Sequence, residues 1–327
     1  MDSEDNWNWP ARPTNQRDYD IMMSSVDNHL ASHGLPPNQR ALRASRLVSV
    51  ALKLGGIPLL GVGVLRGVPY GPTDLGPRVF DWYSDNYGER NKIDWSPGSV
   101  VMTLHRSLWR IRMPMIMGTV EFIIARDLDI GEKGNFTGRH PPKCNVLHEV
   151  EGLTQSYANR LSDHDLIHIF QEFQNGYASI GYLNDLHGHD LFDQARGDYK
   201  QSVDTLMDGR TLSKARWDNA QCAEKIFKGL LARDGHPFPT NARQGHDIAH
   251  LGGLLKQHLG IELPESSLRT ITCLPAARYG EINVDANEAW TSHKELLATL
   301  RRIGSSLNMD SGLSSNSGNS DERSANG

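Results

Sequence analysis

Residues 215–235, ARWDNAQCAEKIFKGLLARDG, decide how this chain is read. Leu212, Ala215, Ala223, Ile226, Phe227 and Leu230 recur near one face at helical period. Lys214, Asp218, Gln221, Glu224, Lys225 and Lys228 fall largely elsewhere. Such a stripe predicts an amphipathic helix that buries one side against its neighbours. Pieces of the same kind follow it. A link, HPFPTNARQG at 236–245, leads to HDIAHLGGLL at 246–255, and AARYGE at 276–281 introduces NEAWTSHKELLATLRRI at 287–303.

Toward the N-terminus the helical pattern continues. Phe192, Ala195, Tyr199, Val203 and Leu206 form one stripe after His187. Ser162 reads as the cap of DHDLIHIFQEFQNGYASIGYLND, and 146–161 reads as one further helix. We therefore expect a helical connector over 143–186 and an antiparallel bundle over 187–304. Its core should hold Phe192, Tyr199, Ile226, Phe227, Leu230, Leu254, Leu297 and Leu300.

Residues 30–132 read as a small β-containing module. One helix leads it, over 37–54, with Leu42, Leu47, Val50 and Leu54 inward and Arg40, Arg43, Arg46 and Lys53 outward. Strand-like runs follow at 57–65, 99–105, 108–117 and 119–125. The alternation in WRIR sends Arg110 and Arg112 to one face of a strand and Trp109 and Ile111 to the other. The expected fold class is thus α+β. Residues 1–20 are expected to be disordered or loosely docked, with Trp7 and Trp9 as a tether. The Ser/Asn/Gly-rich tail at 305–327 is expected to be disordered.

Composition narrows the function classes. A length of 327 residues leaves room for about two domains. Hydrophobic residues make up 38%, with a mean hydropathy of -0.50. The most apolar run, 47–65, is broken by Lys53, Pro58 and several glycines, so no membrane span is expected. The opening MDSEDNWNWP is acidic and polar, unlike a secretory signal. Cys144, Cys222 and Cys273 lie far apart without CxxC spacing, which points to a reducing cytoplasm and away from structural zinc. Net charge is -5, yet 30–112 carries 11 Lys/Arg against 5 acids. That segment is either a footprint for phosphate-bearing partners or a solvated face.

Four marks then stand in order. They are Gln221, Ala223, Glu224 and Lys225 as Q-x-A-E-K, the KGLL run at 228–231, the helix start at His246, Asp247, Ile248 and Leu251, and ARYGE at 277–281. Together they resemble the HEPN domains, compact helical bundles of prokaryotic toxins, defence systems and nucleotidyltransferase partners. The resemblance implies a helical bundle, a two-fold homodimer, and RNA or a nucleotide as partner. Members that cut RNA use an Arg and a His four to six residues apart, without metal. Here Arg243 and His250 enclose six residues, QGHDIA, and His246 among them is a third catalytic candidate. Gln244 stands where that pattern often has Asn. The chemistry needs a histidine to move a proton at the 2′-hydroxyl and an arginine to stabilise the phosphorane. Capping and packing are the competing roles for both residues. The resemblance also gives Arg278 a structural part, pairing across the bundle with a carboxylate such as Glu224, and lets Tyr279 cap the core.

Other candidates carry weaker patterns. His246 and His250 have the i, i+4 spacing of a metal pair, but no Glu completes HExxH, so neither a metal nor a cofactor is expected. His164 and His168 flank a helix cap, and His187–Asp190 reads as a turn and cap. Gly61, Gly63 and Gly67 do not make a nucleotide loop. Arg110 and Arg112, with Trp109 and with Trp82 and Trp95 near in sequence, form either a nucleic-acid platform or a core with solvated arginines. Three functions stay open: RNA or nucleotide binding, metal-independent RNA cleavage, and a non-catalytic scaffold.

Overall fold

The computed structural model describes residues 6–54, 67–91, 96–116, 118–131, 141–240 and 244–307. The chain divides into two compact units, Met1–Asp94 and Trp95–Gly327. The division falls well before residue 132, where the sequence placed the end of its first module. Among the described residues, the strands all belong to the second unit.

The first unit is helical. Helix α1 spans Gln16–Ser32, α2 Pro37–Ala51 and α3 Pro72–Tyr87. Helix α1 overturns part of the expected disordered arm. Tyr19, Met22, Met23, Val26 and Leu30 recur at helical spacing and are fully buried. Asn15 starts the helix by accepting from the Asp18 N–H at 3.0 Å. Before it, Trp7 and Trp9 stack at 6.0 Å, and Trp7 donates to Ser25 Oγ at 3.2 Å. Helix α2 turns a different face inward from the expected one. Leu42 and Val50 are exposed, while Ala41, Ala44, Leu47 and Val48 are buried. Two alanines let a neighbouring helix approach closely. Asp27 is buried among Arg40 Nη1 at 3.2 Å and the Tyr87 hydroxyl at 2.5 Å, so its charge is paired. The run at 57–65 lies outside the described residues.

The second unit joins a hairpin to a helical bundle. Strands β1 (Gly98–Leu104) and β2 (Ser107–Met113) are antiparallel, with Val101 opposite Arg110. Strands β3 (Glu121–Ile123) and β4 (Lys143–Asn145) form a short parallel pair. The expected helix over 146–161 is absent. A 3-10 turn at Val146–Glu149 is followed by α4, only Gln155–Ala158. Gly152 in the left-handed region (φ 75) interrupts it, and Glu151 N–H donates to Arg110 O at 2.9 Å. This stretch is held by β2 rather than by its own helical bonds.

The long helices follow: α5 (Asp163–Asp185), α6 (Asp190–Asp208), α7 (Leu212–Arg233), α8 (Ile248–Leu259), α9 (Glu265–Ile271) and α10 (Ala286–Ser306). Ser162 caps α5 through a capping box with Asp165, and His189 caps α6. Helix α7 is central and packs on α6, α8, α9 and α10, while α5 lies along α10. The supposed connector is thus part of the bundle. Phe192, Tyr199, Ile226, Phe227, Leu230, Leu297 and Leu300 are buried as expected. Leu254 is only half-buried, and Leu255 takes the core position.

Side chains seal the outer edge of β1. Tyr199 donates to Ser99 O at 2.8 Å, Trp290 Nε1 donates to Val101 O at 3.2 Å, and His168 Nε2 meets Thr103 O at 3.1 Å. His293 Nε2 accepts the Val101 N–H at 3.2 Å. Those backbone groups point away from β2, so without these partners they would be buried and unpaired. Helices α5, α6 and α10 each supply part of the seal, which fixes the hairpin on the bundle.

Candidate functional site

The polar face of α7 carries the main charge cluster of the second unit. Its residues recur at i, i+3 and i+4, so one side of the helix is charged while the other fills the core. Lys214 Nζ meets Asp218 Oδ2 at 2.6 Å, and Lys225 Nζ reaches across to Asp198 of α6 at 2.5 Å. Burial pushes the Asp218 carboxyl above the ordinary range, opposed by the Lys214 ammonium. A cavity of about 320 Å³ opens here, lined by these four residues with Trp217, Gln221 and Arg278. It gathers three cations, two carboxylates and one indole.

Gln221 links this cavity to a second group of residues. Its amide donates to Glu224 Oε2 at 3.1 Å. Glu224 is 5% exposed and meets Lys228 Nζ at 2.7 Å through its other oxygen. His246 Nδ1 lies 2.9 Å from Glu224 Oε2, and the His246 side chain is half-exposed. A buried carboxylate therefore fixes one ring nitrogen and leaves Nε2 directed away from it. That arrangement holds the imidazole in one tautomer.

Helix α8 begins directly after His246. Asp247 is its N-cap and accepts from the His250 N–H at 3.0 Å. His250 is exposed. Arg243 lies outside the described residues, so the Arg243–His250 pair has no geometry to report. Among the described residues no group of three or more His, Cys, Asp and Glu has a metal-holding arrangement.

Two other expectations are corrected. Arg278 does not reach Glu224, whose oxygens are taken by Lys228, Gln221 and His246. It lies over the Tyr279 ring at 5.7 Å, and Tyr279 is 71% exposed, so that ring does not cap the core. The Arg110–Arg112–Trp109 platform is also not assembled as a free surface. Arg110 is half-buried and paired with Asp204 at 2.9 Å and Glu151 at 3.3 Å. Trp109 packs on Tyr157 at 4.9 Å, and Arg112 is exposed. Trp82 belongs to α3 of the first unit, and Trp95 lies outside the described residues.

Sequence reading missed Asp198, Lys214, Trp217 and Lys225 as one cluster. The signal was present in the i, i+3 and i+4 spacing of polar residues on α7, which a solvated helix face shares. Comparison with family models, curated proteins and solved structures finds no match for this chain. Among the described residues, no helix is long and apolar enough to cross a membrane.

Proposed function

We propose that the second unit is a HEPN-like bundle that binds RNA or a nucleotide in the cleft on the polar face of α7. The observation that carries this reading is the cavity itself. Lys214, Lys225 and Arg278 offer charge to phosphate oxygens, and Trp217 offers a ring face to a base. The two lysines are held by Asp218 and Asp198, so they are ordered before a ligand arrives. The test is titration of a fluorescent single-stranded RNA. Arg278→Ala and Trp217→Ala should each weaken binding by about tenfold, as expected for one charge-assisted bond or one stacked base. Unchanged affinity in both variants removes the cleft from the function.

A second reading, metal-independent endoribonuclease, is favoured by one observation, the Glu224–His246 pair. In it His246 moves the proton at the 2′-hydroxyl, in place of the Arg243–His250 pair read from sequence. Cleavage of single-stranded RNA in EDTA, abolished by His246→Ala with melting unchanged, supports it. Wild-type protein that binds RNA and never cuts it leaves binding alone. The resemblance also proposes a two-fold homodimer. Sedimentation equilibrium at tens of micromolar tests it, and a monomer there contradicts it.

A further inference from the structure

The turn joining β1 to β2 is Leu104-His105-Arg106-Ser107, with Leu104 paired to Ser107. Both central residues lie in the left-handed region, at φ 49 and φ 65. Two-residue hairpin loops of this kind are usually Asn-Gly, because in the left-handed region Cβ crowds the following carbonyl oxygen. The two residues differ in what they do for the protein. Both ring nitrogens of His105 are engaged, with Tyr157 Oη at 2.9 Å and Asp165 Oδ2 at 3.3 Å. His105 pins the turn. Arg106 is exposed, and among the described residues its guanidinium has no hydrogen bond or ion pair.

Arg106 instead lines a cleft of about 420 Å³ with Thr103, His105, Leu108, Ala286, Asn287 and Trp290. This falls in the range of small-molecule sites. Trp290 cannot swing, since its Nε1 is bonded to Val101 O. Lys294, exposed, sets its ammonium 5.3 Å from the Trp290 ring centre. The neighbouring acids are otherwise occupied. Asp285 and Glu288 close the capping box of α10, and Asp165 is bonded by Ser162 and His105.

We propose that this cleft binds a small planar organic anion. Arg106 takes its charged group, while Trp290 and Leu108 take its plane. Arg106 does not belong to the α7 cleft, so the site stands independently of the function proposed above. The anionic group is a phosphate or a carboxylate, and the two are separated by the choice of probe. Full-length protein is titrated calorimetrically with AMP, with anthranilate, and with adenosine as the uncharged control. At least one anion should bind and adenosine should not. Arg106→Gly should weaken that binding by about tenfold or more, the usual share of a charge-assisted hydrogen bond. The same variant relieves the left-handed strain, so its melting temperature should rise, which separates lost binding from lost folding. Three results overturn the proposal: neither anion binds at millimolar concentration, adenosine binds as well as AMP, or Arg106→Gly keeps wild-type affinity. In the third case, binding lost in Arg278→Ala places the anion in the α7 cleft.

Discussion

A second proton on His293 would have nowhere to go. Its Nε2 accepts the Val101 N–H, so protonation there sets two donors against each other. The ring is fully buried and stacked on Tyr199 at 5.6 Å. Burial lowers its pKa from 6.5 to about 4. Between those values the unfolded chain holds one more proton than the folded chain. Stability from this group is complete above pH 6.5 and is lost as pH falls toward 4, by roughly 3 kcal/mol in total. Urea unfolding at pH 7 and pH 5 should therefore differ, and His293→Gln, whose amide oxygen can still accept, should flatten the difference. An unchanged pH dependence in that variant would assign the acid sensitivity elsewhere. Leu254 and Leu255 give a second contrast at this scale. Leu255→Ala should cost about 2–5 kcal/mol and Leu254→Ala clearly less, because only Leu255 is fully enclosed. The sequence pattern did not separate them, since adjacent apolar positions both fall near one helix stripe.

At the scale of elements, close packing explains one of two helix glycines that propensity alone would remove. A Cβ on Gly229 of α7 would sit 2.7 Å from the Phe192 ring of α6, whereas one on Gly197 of α6 would meet nothing within 4 Å. Gly229→Ala should destabilise by about 1–3 kcal/mol through overpacking. Gly197→Ala should stabilise by about 0.5–1 kcal/mol, because it lies in an exposed helix interior. Denaturant midpoints of the two variants should move in opposite directions. The long helices were legible because caps and period agreed, as at Ser162 with Asp165. Helix α3 was not, because Gly76 and Pro77 interrupt the stripe of Leu75, Val79 and Tyr83. Residues 146–161 misled in the other direction. Their apolar spacing suits a helix, but pairing with β2 overrode it, and Val150 sits opposite Ile111 as a bridge. Tertiary contacts of that kind leave no local mark.

At the scale of the whole molecule, the second unit brings a charged helix face, a half-exposed imidazole and a sealed hairpin onto one bundle. Glu224 and His246 are 22 residues apart, and Asp198 and Lys225 are 27 apart. Helical period shows which residues share a face of α7, but not which neighbour that face meets. That is why Arg278, His246 and the lysines of α7 were visible singly and their grouping was not. The arginines of β2 show the converse. Arg110 looked free in the sequence and is paired with Asp204 and Glu151. If phosphate contacts lie in the α7 cleft, RNA affinity should fall steeply with salt. Removing Arg278 should reduce that slope by about one, while removing Arg110 should not.

The most direct measurement is therefore the salt dependence of single-stranded RNA binding by wild type, Arg278→Ala and Arg110→Ala, followed by fluorescence anisotropy. The account predicts tight binding by the wild type, a weaker and shallower dependence for Arg278→Ala, and wild-type behaviour for Arg110→Ala. Binding that is absent in the wild type, or that is lost in Arg110→Ala and kept in Arg278→Ala, would contradict it.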